Sequence, residues 1–302
     1  MIVSLAITLA ITLGQMLCLA IIAPFLTDLE QGLQGLGAGR NGTAPGWRWR
    51  HLYRGWQRYS RIPALSWFGL CAVWLAMAGL PLASAHSLFS FLSEPLACGV
   101  LLILSCIPAW IMALQSAPTR LIALRVRASM SWLGRDLLFL VPLLALTGTL
   151  ISIGLPGAGT LTGLLQQRVL QPAPALLGGL VFVAAALLLV LSWRFLCDNW
   201  HEELIASTTG RHRALLRYSH DLSACCWYLL IADLVWPDSV DTGTHPPGGL
   251  IMLWCIAAPA KLAFMAALAT GWRACRPLPA ARLALVLSGA AILLVLAGRL
   301  AA

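Results

Sequence analysis

Charge is what this sequence has least of. Asp, Glu, Lys and Arg make up only 10% of its 302 residues, and Lys261 is the single lysine. With 60% hydrophobic residues and a mean hydropathy of +0.84, such a chain cannot cover the surface of a water-soluble globule of this length. Cysteine pairs at metal-binding spacing are missing too. None of the nine cysteines forms a C-x-x-C pair and most sit inside apolar runs, so neither a disulfide framework nor an iron–sulfur or zinc site is expected; they read as small packing residues. No internal repeat and no polar appendage is visible, which argues for a single transmembrane domain over residues 1–302 and against an inverted-repeat transporter. The opening run, Met1 to about Leu26, lacks a basic flank and a small-residue cleavage site, so it reads as a retained helix and not a signal peptide.

What the sequence has is apolar runs. A hydrocarbon core about 30 Å thick needs roughly 20 apolar residues per helix, and eight stretches qualify: 2–26, 62–82, 91–114, 130–152, 173–196, 219–236, 248–270 and 283–300. The expectation is an all-α integral membrane protein, a bundle of about eight transmembrane helices.

The net charge of +9 would suggest nucleic acid in a soluble protein, but here the basic residues punctuate apolar runs, and topology accounts for them. The segment from Thr27 to Arg61 carries six arginines, Arg40, Arg48, Arg50, Arg54, Arg58 and Arg61, as a cytoplasmic loop would. Placing it inside also puts inside Arg120, Arg125 and Arg127, then Arg194, Arg211, Arg213 and Arg217, then Arg273, Arg276 and Arg282. The outer segments keep only Arg168 and Arg299, with acids at Asp238 and Asp241. An even helix count then puts both termini on the outer, periplasmic side.

Ionisable groups at membrane depth are functional candidates because burial is tolerated only with a partner or a wet cavity. They are Glu94, the Arg135–Asp136 pair, Asp221, Asp233 and Lys261. Lys261 lies mid-helix, too deep to reach either interface easily, and reads as a relay or as half of a structural ion pair. Adjacent residues face different sides of a helix, so Arg135 reaches toward inner headgroups and leaves Asp136 to the bundle interior. Glu94 and Asp233 lie nearer the outer boundary, where a plain interfacial carboxylate is the simpler account.

On the inner side, residues 197–204 concentrate Asp198, His201, Glu202 and Glu203, but no second His follows at the spacing a zinc helix needs. The Trp- and Arg-rich stretch 46–56 suits a protein interface, or equally a lipid headgroup layer.

One stretch carries a resemblance. His201-Glu-Glu-Leu-Ile-Ala-Ser-Thr-Thr-Gly-Arg-His-Arg-Ala-Leu-Leu resembles the H-E-x-x-x-x-E-Y-S-G-R-H-x-A-L loop of the membrane subunit shared by respiratory complex I and the energy-converting group-four nickel–iron hydrogenases, the formate hydrogenlyase branch above all. It matches at His201, Glu202, Gly210, Arg211, His212, Ala214 and Leu215. Weaker similarities keep the family's order: Tyr53-Arg54, Ser66-Trp67, Arg127-Ala-Ser-Met with Asp136 after it, residues 231–237 and Ala260-Lys261-Leu262. Departures include Arg40-Asn-Gly-Thr in place of R-R-G-P, Gly55 and Ser207 where the family has carboxylates, Ser223 for a lysine and Arg273 for a glutamate.

The resemblance implies a subunit of a bacterial inner-membrane complex that is not catalytic alone and binds no cofactor itself. Its implied partners are hydrogenase-like large and small subunits, a ferredoxin-like iron–sulfur subunit and antiporter-like membrane subunits. Those partners carry iron–sulfur clusters and, in the hydrogenases, a nickel–iron centre. Arg40, Tyr53, Arg54, Arg127, His201, Glu202, Glu203, Arg211 and His212 would form the docking or cavity loops, while Glu94, Asp136, Asp233 and Lys261 would belong to a proton path or to buried ion pairs. The missing loop carboxylates favour an anchor over a pump. Two other readings stand beside it: a stand-alone proton- or anion-coupled carrier using Lys261 and Asp136, and a quinone-site subunit.

Overall fold

Apolar runs with few glycines or prolines in their interiors satisfy their own backbone hydrogen bonds only as helices, and helices account for nearly all of this structure. The computed structural model describes residues 2–39, 42–85, 90–115, 134, 136–153, 160–161, 163–165, 174–196, 205, 208–241, 247–274 and 280–301. Its helices are α1 (Ile2–Gly37), α2 (Trp47–Gln57), α3 (Ala64–Gly79), α4 (Pro95–Leu104), α5 (Ile107–Gln115), α6 (Leu140–Ile153), α7 (Pro174–Leu196), α8 (Gly210–Val235), α9 (Pro247–Met252), α10 (Ala258–Ala274) and α11 (Ala280–Ala301). Among the described residues no strand forms, only an isolated bridge between Ser84 and Asp241.

Among the described residues, three helical stretches are long and apolar enough to cross a membrane, at 6–37, 253–272 and 281–298. Shorter apolar helices occupy 64–79, 95–111, 136–151 and 176–192. Several boundaries differ from the expected spans. The first helix runs past Leu26 to Gly37, and its 36 residues extend about 54 Å, longer than a hydrocarbon core is thick. A single turn of π-helix, Leu253–Ala257, joins α9 to α10. The stretch expected at 219–236 begins nine residues earlier, at Gly210.

That stretch, α8, is the axis of the fold. It packs against α1, α2, α3, α4, α7 and α10, and every residue from Asp221 to Leu234 is buried. It is also the least apolar of the long helices, holding Arg, His and Asp. The outward faces are the reverse. On α1 the stripe Leu13, Leu17, Ile21 and Phe25 is exposed by 46–60%, at a spacing that keeps all four on one side. Polar residues within and apolar stripes without invert the pattern of a helical protein in water.

Pro24 lies inside α1, where it has no N–H to give the carbonyl of Ala20. The Tyr218 hydroxyl donates to that oxygen at 3.2 Å, and Trp49 Nε1 donates to the next one, Ile21 O, also at 3.2 Å. A second polar lock closes the opposite end. Gln15 Oε1 accepts the Leu82 N–H at 2.7 Å and its Nε2 donates to Ser84 O at 3.1 Å, while the same extended segment exchanges backbone bonds with Asp241.

Candidate functional site

The arginine-rich end is built around α2, a helix short enough that its position depends on its contacts. Gly46 starts it in the left-handed conformation (φ 77°) and has no side chain with which to cap it. Asp28 of α1 supplies the cap, both carboxylate oxygens accepting the Arg48 N–H at 3.0 and 3.2 Å. The buried Arg48 guanidinium then forks onto Asp221 of α8, with Nε to Oδ2 and a terminal nitrogen to Oδ1 each at 2.9 Å. Arg48, Leu52 and Gly55 form the inward side of α2, and Gly55 lets α8 come close: a Cβ there would stand 3.1 Å from the Ala214 Cβ.

The Gly210-Arg211-His212 run closes a clasp over the end of α2. Gly210 sits at φ 55°, and a Cβ there would fall 2.5 Å from Arg58 O, a position only glycine allows. Arg211 donates its backbone N–H to Arg58 O and its Nε to Trp56 O, and its guanidinium lies 5.9 Å over the Trp56 ring and 5.6 Å over that of Tyr59. His212 takes Ser66 Oγ onto Nε2 contact at 2.9 Å and donates its N–H to Ser60 Oγ. Two residues expected to face a partner, Arg211 and His212, are thus engaged within the chain.

Two cavities flank the α2–α8 contact. One, of about 350 Å³, is apolar and aromatic, with Trp49, Tyr53, Trp56, Trp67 and Tyr218 among its walls. The other, of about 190 Å³, is lined by His51, Arg54, Arg58, Arg213 and Arg217 around Gly55, Gly210 and Ala214. Burial, and after it the guanidiniums of Arg217, Arg48 and Arg213, push His51 below the usual histidine value. The Arg217 guanidinium lies 3.3 Å from His51 Nδ1, a geometry in which a neutral ring accepts.

No family model and no curated protein matches this chain.

The second cluster lies further along α8. Lys261 Nζ of α10 donates to Asp233 Oδ1 at 2.6 Å, and neither side chain is exposed at all. Asp233, expected near a hydrated boundary, is instead in the interior, with its Oδ2 lacking a hydrogen-bond partner among the described residues. Asp221 and Asp233 are twelve residues apart on α8, about 18 Å along its axis. Asp136 is 1% exposed, and Phe139, just beyond it, stacks on Trp227 of α8 at 4.1 Å between ring centres. Glu94 is half-buried at the start of α4 and joins no described ion pair.

Of the expected docking residues, Tyr53, Arg54, Arg211 and His212 come together at the α2 end. Arg40, Arg127, His201, Glu202 and Glu203 lie outside the described residues. Asp28 as the cap of α2, and Arg48 as the partner of Asp221, are site residues that the sequence does not mark. The available signal was the Arg48–Leu52–Gly55 spacing, which puts an arginine on the face of α2 that the small residue marks as the contact face.

Proposed function

We propose that the chain is a multi-pass membrane anchor, of about eight spans with both termini on the outer side, in a redox complex of the complex I or energy-converting hydrogenase type. Its α2 end faces the cytoplasm of a bacterial inner membrane and docks the peripheral iron–sulfur subunits. The observation that carries this reading is the rigid, outward face of α2. Tyr53 of α2 and Tyr59 just beyond its end are 66% and 86% exposed beside Arg54 and Arg58, on a segment tied down by Asp28, Asp221 and the Arg211 clasp. Exposed aromatics and arginines on an immobile support are the composition of an interface centre, with little ordering entropy left to lose on binding. Purification in a mild detergent tests it: soluble iron–sulfur subunits should co-elute with the chain, and recovery of a lone, stable oligomer would sink the idea.

A second reading, a proton- or anion-coupled carrier, draws on the buried Lys261–Asp233 pair and on Asp136 beside the same central helix. Flux into proteoliposomes from the purified chain alone, abolished by Lys261→Met, would favour it over the anchor.

A further inference from the structure

We propose that the cleft between α2 and α8 is a binding site for a phosphate-bearing anion. Arg54 of α2 and Arg58, the residue that caps the C-terminus of that helix, line the cleft from one side, and Arg213 and Arg217, four apart on α8, line it from the other. The Gly55–Ala214 approach brings these four guanidiniums to one cleft of about 190 Å³. No acidic residue is among its described lining, and Arg54 and Arg58 form no ion pair with any described residue. His51, pushed below the usual histidine value by burial and then by the guanidiniums of Arg217, Arg48 and Arg213, adds a ring that can turn donor when an anion arrives.

The cleft is a built site. Arg213 Nε is held on Thr208 O at 2.7 Å, Arg217 rests against His51, and Ser60, Arg211 and Gly210 lock the ends of the two helices together. Planar guanidinium forks match the oxygens of phosphate in pairs, which a lysine cluster does not do, and every cation here is Arg or His. The anion bridges guanidiniums of the two helices and so ties α2 to α8. The phosphate group arrives either on an anionic lipid headgroup, from the inner leaflet, or on a soluble phosphate compound. This inference does not depend on the anchor reading, because it concerns the lone chain.

The test uses the full chain purified in a neutral maltoside detergent. Thermal unfolding is followed with inorganic phosphate or diphosphate against sodium chloride at equal ionic strength, and native mass spectrometry follows retention of phosphatidic acid against phosphatidylcholine. Arg54→Gln/Arg58→Gln should weaken binding about tenfold or more, since each lost charge-assisted pair is worth at least a decade in affinity. Arg54→Lys/Arg58→Lys, which keeps charge and loses the fork, should fall between that variant and the natural chain. Arg61→Gln/Arg282→Gln removes the same charge from exposed positions elsewhere and should bind as the natural chain does. Response to diphosphate alone identifies a soluble ligand, response to phosphatidic acid alone a headgroup, and response to both recognition of the phosphate group itself. Absence of every response, or equal loss in the Arg61/Arg282 variant, overturns the proposal.

Discussion

Lys261 and Asp233 each make the other's burial possible. With both side chains fully buried, removing one partner leaves the other charged and uncompensated, a loss of roughly 3–5 kcal/mol, whereas removing both leaves an apolar contact. Lys261→Met and Asp233→Leu should each lower the melting temperature in detergent sharply, and Lys261→Met/Asp233→Leu should recover most of the loss. If the double variant melts at the sum of the single losses, the two residues are not coupled. His51 offers a second residue-scale prediction. Because its folded value is depressed below the ordinary 6.5, its contribution to stability is fully present above that pH and is lost as pH falls toward the folded midpoint. A ring-proton NMR titration of His51 should give a midpoint under 6.5, and diphosphate should raise it. A midpoint at or above 6.5 without added anion would contradict the guanidinium-lined environment.

At the scale of elements, α2 is held by tertiary bonds and not by its own sequence. Eleven residues are too few for an isolated helix, and its N-terminus is capped from α1. Arg48→Met should therefore free the segment around 42–60 to protease at a concentration that leaves the natural chain intact. Equal protection in both proteins would show that the Asp221 fork is not what holds α2. Helix α1 has its own weak point at Pro24. Tyr218→Phe removes the donor to Ala20 O and should destabilise by about 1 kcal/mol. In a Pro24→Ala background the alanine N–H takes over that carbonyl, so the tyrosine change should then be close to neutral. An undiminished loss there would separate Tyr218 from the proline gap.

For the molecule as a whole, the prediction is one of sidedness. Reporter fusions at the C-terminus and near residue 160 should read as external, and one near residue 41 as cytoplasmic. A fusion near 41 that reads as external would reverse the docking face. Much of this frame is legible in the sequence, since apolar runs of sufficient length are helices whatever they pack against. The second helix was not legible as one, because its Trp, Arg and His residues make no apolar run. The early start of α8 at Gly210 escaped for a related reason: its first turns are polar, and they are ordered by α2 and by Ser60 and Ser66.

By itself the sequence determined a helical chain with apolar runs long enough to cross a bilayer and with arginines concentrated between those runs. Those properties depend on composition and local spacing. Only the tertiary structure decided which charges compensate one another. Arg48 meets Asp221 across 173 residues and Lys261 meets Asp233 across 28, with contacts of 2.9 and 2.6 Å. Charge pairing in a low-dielectric interior is a matter of distance between helices, and helix periodicity sets a residue's face without naming the neighbour that face will find.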